Sequence, residues 1–378
     1  MKITIIEANM TGLQHVPINS HFINMLGKIF SNETLELYCS KEHFDYLNIE
    51  NENKILFHSI KVISSKKQRI QKFFYELENS KRVINSDTDF IIFLSCFPNV
   101  QYFITRYLRK KKYQNKKVLL ITHGEMEGLR LRGKWKIWSY PFWVTLCSKV
   151  TPPKNLRRLV LGESIYRNML QYKNFQNVDY INHPLEDIET KLVLPKNNNI
   201  VFGYIGTFLM AKGGDVLMKV SSHLNQQSTS YFEIIGSSNL KENEQNSRIK
   251  QNSKLGQFIS KEDYSELIRN ISYACFPFPV DSYKYTASGA VLDAIAYLKP
   301  VIYISNDYFD YLFDNCGDIG YRCLNEDEFI KCILELDSNP EQNRYLQQIE
   351  NMKKLKQKLL KENIICEFEK ILNSFFSF

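Results

Sequence analysis

Short apolar runs with strand character alternate with helical stretches along almost the whole chain, and that alternation limits the fold more than any other feature. In the first half the strand-like runs are Ile3–Glu7, Leu35–Cys39, 55–60, Phe90–Ser95, 118–122, 158–161 and Val178–Ile181. Helical stretches over 20–30, 66–85, 100–112 and 134–146 lie between several of them. Such alternation predicts parallel βαβ units wound into a sheet with helices on both faces. A second series begins at Ile200, with strands expected over 200–205, 231–235, 257–259, 273–277, 301–305 and 317–321. Between the two, residues 186–199 mix acids, Pro195 and a Lys-Asn-Asn-Asn run, which reads as a linker. The expected architecture is α/β, with two Rossmann-like, doubly wound parallel-sheet domains over residues 1–185 and 200–345. Residues 346–378 read as polar helix ending in an aromatic cluster, Phe368, Phe375, Phe376 and Phe378.

Size and composition agree with that organisation. A chain of 378 residues has room for two domains or three. The eight cysteines are scattered without a C-x2-C pair, which argues against a disulfide framework or zinc site and fits a reducing cytoplasm. No apolar run approaches the ~20 residues of a membrane-spanning helix. The opening MKITIIEANM reads as a strand, not a signal peptide. Charge is divided unevenly. Residues 1–185 hold 28 Lys and Arg against 15 Asp and Glu, a net of +13, whereas the rest hold 21 against 26, a net of −5. The first half is therefore expected to face something anionic, such as a membrane surface or a lipid diphosphate. It carries no recognisable nucleic-acid-binding motif, and nucleic acid is not an expected partner.

Two strand–turn–helix stretches carry the chemistry. Residues 202–219 (FGYIGTFLMAKGGDVLMK) run from an apolar strand through Gly206 and Lys212-Gly213-Gly214 into an amphipathic helix. Residues 286–304 (TASGAVLDAIAYLKPVIYI) pass from a small-residue turn into an apolar helix with a single acid, Asp293, and then into a new strand. A small-residue helix start at Ser288, Gly289 and Ala290 presents free N–H groups and the positive end of the helix dipole, which suits a diphosphate. Lys212 adds a compact cation where charge would develop on a departing diphosphate. Asp293 lies about 1.4 turns beyond Ser288. An acid in an otherwise apolar helix is costly if buried alone, so a ligand-facing role is expected, accepting hydrogen bonds from a ribose.

These two stretches resemble the donor half of GT-B glycosyltransferases, especially the family-4 type. That family shows strand, Gly-Arg, Lys-Gly, and later Glu-x7-Glu in a segment ending near "GKPVI". Here LDAIAYLKPVIY matches the ending, while Thr207 replaces the arginine and the Glu-x7-Glu positions read Tyr285 and Asp293. The resemblance implies two domains facing a cleft, with the final helix crossing back to the first domain. It implies that Gly206, Thr207, Gly213 and Tyr285 join the donor site, and that Phe258 and Ile259 hold the nucleobase. Lys284, Arg130 and Arg132 are candidates to replace the missing arginine charge. In the first half, Gly12 in the loop after the first strand is expected to let backbone approach the diphosphate or acceptor. His123, at the carboxyl end of 118–122, stands where the family places an imidazole on the transferred sugar. Glu125 and Glu127 are the nearest carboxylates, and in an inverting reaction one of them or His123 would be the general base.

The resulting expectation is a hexosyltransferase-type enzyme moving a sugar from a nucleotide-diphosphate sugar to a saccharide or lipid-linked saccharide in surface polysaccharide assembly. The resemblance favours retention of configuration. Neither metal nor other cofactor is expected, because Lys212 and the helix amides can stand in for a metal ion at the diphosphate. Trp135, Trp138 and Trp143, set among Tyr140, Phe142 and basic residues, suit either a core face or a peripheral contact with the inner face of a membrane. Two alternatives stand beside this reading: a degenerate, non-catalytic GT-B subunit that binds a partner or lipid, and a nucleotide-sugar 2-epimerase, for which a full set of acid–base carboxylates cannot be assembled.

Overall fold

The computed structural model describes residues 1–63, 68–131, 139–240, 247–254, 257 and 259–376. Strands and helices alternate in the order β1 (Ile3–Glu7), α1 (Val16–Ile29), β2 (Leu35–Cys39), α2 (Lys41–Phe44), β3 (Ile55–Ser59), α3 (Arg69–Asn85), β4 (Phe90–Ser95), α4 (Pro98–Tyr107), β5 (Lys117–Thr122), α5 (Tyr140–Lys149), β6 (Leu156–Leu161), α6 (Glu163–Leu170) and β7 (Val178–Ile181). The second series is β8 (Val201–Ile205), α7 (Gly214–His223), β9 (Tyr231–Ser238), β10 (Ile249–Lys254), α8 (Lys261–Asn270), β11 (Tyr273–Phe276), α9 (Gly289–Ala296), β12 (Val301–Ile304), α10 (Asp307–Cys316), β13 (Gly320–Cys323), α11 (Glu326–Ser338), α12 (Gln342–Leu359) and α13 (Lys361–Phe376). Two compact units result. The first comprises Met1–Pro184, Lys284–Ala287 and α13; the second comprises Leu185–Tyr283 and Ser288–Leu360.

The first unit holds a seven-stranded sheet in the order β3-β2-β1-β4-β5-β6-β7, and every pairing is parallel. Strands β1 and β4 are buried at every residue, as expected where helices cover both faces. On one face, Ile3, Ile5, Leu37, Ile92 and Leu119 pack with Phe22 and Leu26 of α1 and with Ile364, Phe368, Leu372 and Phe375 of α13. On the other, Ile6, Ile91, Phe93 and Leu120 pack with Leu77, Val83 and Ile84 of α3 and Val100 and Ile104 of α4. The helix that joins the first unit is thus α13, while α12 stays with the second.

The second unit holds a six-stranded parallel sheet, β10-β9-β8-β11-β12-β13, whose strand order reverses between β8 and β11. The segment read as a linker is strapped to this unit by side chains. Lys356 Nζ donates to Ile188 O, Tyr345 Oη to Val193 O and Lys299 Nζ to Lys191 O. Of the strand expected at 257–259, the described residues Gln257 and Ile259 lie outside any strand, and the edge strand is Ile249–Lys254 (IKQNSK) instead. An edge strand pairs on one side only, here with β9, and buries alternate residues, so it lacks the apolar run by which central strands are read. The helix expected over 134–146 begins at Tyr140, with Pro141 in its first turn, and residues 132–138, with Trp135 and Trp138, lie outside the described residues. Among the described residues no helix is long and apolar enough to cross a membrane.

Candidate active site

In open α/β sheets, ligands bind beyond the strands' carboxyl ends where strand order reverses. In the second unit that point lies between the loops following β8 and β11. After β8 the chain turns at Gly206, whose φ of +107° is one that L side chains rarely adopt. A Cβ there would stand 3.7 Å from the Ala290 methyl, so this turn and the start of α9 are neighbours. The loop is then pinned: Gly206 N donates to Ile235 O, Phe208 N to Ser237 O, and the Tyr204 hydroxyl to the carbonyl of Lys212. Lys212 ends a single 3-10 turn, is exposed, and pairs with no carboxylate among the described residues; packing around it lowers its pKa. Gly213 follows in the left-handed region and starts α7.

Ser288 caps α9, its Oγ accepting from Val291 N. The Gly289 position opens onto space, with nothing within 4 Å of where a Cβ would lie. Farther along α9, Asp293 Oδ2 accepts a 2.6 Å hydrogen bond from the Tyr264 hydroxyl of α8. Burial pushes the Asp293 carboxyl up to about 6 even though that bond pulls it down. Beside α8 lies a cavity of about 690 Å³ lined by Asn252, Ser253, Gln257, Ile259, Ser260 and Asp263 among others.

The first unit carries its own cluster at strand ends. His123 follows β5, and its Nε2–H donates to Leu94 O at 2.8 Å, which leaves Nδ1 as an acceptor. Burial and the neighbouring His15, whose ring lies edge-on at 5.2 Å, push the His123 pKa down to about 3. The ring is therefore neutral near pH 7 and too weak a base to deprotonate a hydroxyl there; it fits a hydrogen-bonding role. Glu125 is 6% exposed, its carboxylate accepting from His123 N, and burial lifts its pKa to about 7. Glu127 pairs with Arg130 and accepts from Tyr285 N.

No family model matches the chain, and no curated protein matches its sequence. Among solved structures it is similar to the apo form of WaaB, a lipopolysaccharide outer core galactosyltransferase, with 14% identity, a TM-score of 0.65 and 99% of each chain covered. HepE of Anabaena in complex with UDP-glucose matches with 11% identity and a TM-score of 0.65, over 99% of this chain and 100% of that one. WaaG, a glycosyltransferase involved in lipopolysaccharide biosynthesis, matches with 11% identity and a TM-score of 0.59, over 98% of this chain and 99% of that one. The chain has the GT-B glycosyltransferase fold. Within it, Gly206, Thr207, Lys212, Gly213, Ser288, Gly289, Ala290 and Asp293 all fall in the second unit, on the β8–α7 loop and α9. Ile259 lines the cavity beside α8, and Phe258 lies outside the described residues.

Tyr285 falls in the first unit, 4% exposed, with its hydroxyl 3.2 Å from that of Tyr172. Thr207 Oγ1 accepts from the Ser237 hydroxyl at 3.4 Å and brings no charge. Of the candidate replacements for that charge, Arg130 is engaged by Glu127, Arg132 lies outside the described residues, and Lys284 belongs to the first unit. Gly12, at φ +53°, offers its carbonyl to His43 Nδ1–H at 2.9 Å.

Sequence reasoning missed a buried polar network where strand order reverses in the first sheet, between β1 and β4. Glu7 accepts from Asn9 N, Met10 N, Ser95 Oγ and Asn19 Nδ2, and Asn9 Nδ2 donates to Glu76 Oε1. Burial lifts Glu76 to about 8. The available signal was Glu7 itself, the single acid closing an apolar strand, with Asn9 two residues on.

Proposed function

We propose that this protein is a glycosyltransferase that binds a nucleotide-diphosphate sugar through its second unit and transfers a hexose to a saccharide or lipid-linked saccharide. One observation carries the reading: around the strand-order reversal of a Rossmann-like sheet, the second unit gathers an exposed lysine, the glycine turns of the β8–α7 loop, the open start of α9 and one acid in an apolar helix. Amides and Lys212 would meet the diphosphate, and Asp293 the ribose. The solved complexes of HepE with UDP and with UDP-glucose support a nucleotide-sugar donor. In this reading Lys212 and the α9 amides meet the charge of the leaving group without a metal ion, and resemblance to family 4 favours retention. His123, neutral with Nδ1 accepting, would hold a sugar hydroxyl rather than act as base.

Peripheral contact with the inner face of a membrane is part of the same proposal. It is supported by the basic first unit and by an aromatic surface on α3, α4 and α5. Phe73 lies 5.3 Å from Phe74 and 5.6 Å from Phe103, which lies 5.8 Å from Trp143, and Ile70 and Phe74 are more than half exposed.

The test is titration with UDP-, GDP- and ADP-nucleotides and their sugars, measuring binding and donor turnover. Turnover that disappears in Lys212→Ala and Asp293→Ala supports the enzyme. Failure of every nucleotide to bind rejects it. A second reading, a non-catalytic GT-B subunit, is favoured by Thr207 in place of arginine and by the buried Tyr285; binding without turnover would select it.

A further inference from the structure

We propose that Tyr264 is a positioning residue for the nucleotide: its phenol holds Oδ2 of Asp293 so that Oδ1 is presented to the ribose hydroxyls. The inference rests on the reading of Asp293 as the ribose-binding acid. Aspartate is one methylene shorter than the glutamate of the family pattern, so it spans less of the distance to a ligand and needs its direction fixed. The geometry supplies that. Ser260 caps α8 by accepting from Asp263 N, and Tyr264 N donates to Ser260 O, which sets the first turn that carries the phenol. The Tyr297 hydroxyl, at the end of α9, donates to Ser265 Oγ at 2.7 Å and ties the same two helices together. Between these anchors the Tyr264 hydroxyl donates to Asp293 Oδ2 at 2.6 Å, and Oδ1 makes no hydrogen bond among the described residues.

The same bond also bears on protonation. Asp293 is drawn upward by burial and downward by Tyr264, and Tyr264, pushed well above the usual phenol range, stays a donor throughout. Among the described residues Tyr264 is the one titratable group that acts on Asp293; Tyr297 lies by Tyr264, and neither β8 nor α12, which also pack on α9, brings it a charge. A carboxylate accepts ribose hydroxyls; a protonated carboxyl does so poorly. Wild-type affinity should therefore fall as pH drops through about 6. Removing the phenol hydroxyl raises the Asp293 pKa and moves that fall to higher pH.

The experiment measures the dissociation constants of UDP, GDP and ADP, and of the 2′,3′-dideoxy form of whichever binds, from about pH 5 to about pH 9. It uses the full chain, Tyr264→Phe and Asp293→Asn. Expected for Tyr264→Phe is a midpoint at least about one pH unit higher than wild type, at least about twofold weaker binding at about pH 7 that recovers by about pH 8.5, and reduced preference for ribose over dideoxyribose. An unchanged midpoint and an unchanged ribose preference would overturn the inference while leaving the nucleotide reading intact. Pure weakening at all pH values, with ribose preference kept, would mark Tyr264 as structural only and overturns it as well. If the wild type binds none of the three nucleotides, the nucleotide reading and this inference fall together.

Discussion

Gly213 and Pro277 meet backbone to backbone: a Cβ built on Gly213 would lie 1.8 Å from the Pro277 carbonyl oxygen. This contact joins the loop after β8 to the loop after β11, on the two sides of the strand-order reversal. It leaves room for glycine alone, and the φ of +79° at Gly213 adds a second reason. Gly213→Ala therefore has to move one of the two loops. The expected loss is at least about 2 kcal/mol, from left-handed strain plus displaced backbone. Thermal unfolding measures the loss, and nucleotide affinity should fall with it. A variant with unaltered melting and affinity would show that the loops do not depend on each other.

Lys212→Ala should separate function from stability. The side chain is exposed and has no carboxylate partner among the described residues, so the melting temperature should hardly move. Turnover of the donor should drop about 10²- to 10³-fold, the usual cost of removing one electrostatic stabiliser of a leaving group. Steady-state kinetics beside calorimetry reads both, and a large fall in melting temperature would assign the lysine to the fold.

Acid should destabilise the first unit before most carboxylates titrate. His123 and His183 are held near 3 and near 4, below the ordinary 6.5, mainly by burial. Depressed histidines favour the folded state fully above about pH 6.5, and that contribution is lost as pH falls toward the folded values. Each contributes a slope of up to about 1.4 kcal/mol per pH unit. Denaturant melts between about pH 7 and about pH 4 check this, and His123→Gln should flatten the acid limb.

Rising pH should act through Glu76 with the opposite sign. Its folded pKa of about 8 lies above the ordinary 4.5, so its neutral form stabilises fully below about pH 4.5 and the benefit is lost progressively as pH rises to about 8. Glu76→Gln keeps an acceptor for Asn9 and Phe97 N, both of which now donate to Oε1, and cannot ionise. It should be close to wild type near pH 4.5, already more stable near pH 7, and show its full advantage above about pH 8, as read by the same melts.

Phe368 of α13 is fully buried and meets Phe22 of α1 edge to face, centroids 5.7 Å apart. Phe368→Ala should cost about 3–5 kcal/mol, the range for deleting a buried aromatic side chain. Its melting transition should drop by far more than that of an exposed neighbour such as Glu369→Ala. Equal behaviour of the two would mean that α13 does not complete the first unit's core.

The chain order of strands and helices is legible in the residues because both faces of each sheet are covered, which writes central strands as unbroken apolar runs. Gly206, Lys212 and Asp293 are legible for a related reason: a glycine turn, a lone lysine and an acid in an apolar helix each break a local pattern. Residue order alone therefore establishes the fold class and the candidates on the β8–α7 loop and on α9. What those candidates touch is a matter of packing. The edge strand Ile249–Lys254 is hidden from a pattern reading because its burial alternates instead of forming an apolar run. Tyr285 stands three positions before Ser288 in the chain, yet folding places it in the first unit, against Tyr172 and Glu127, while Ser288 caps α9 in the second. The bond from Tyr264 to Asp293 likewise joins residues 29 positions apart. Local spacing reports which residues share a turn or a helix face, because backbone dihedrals set that within a few residues. It carries no record of which distant side chains meet, since that follows from how whole elements bury their apolar faces against one another.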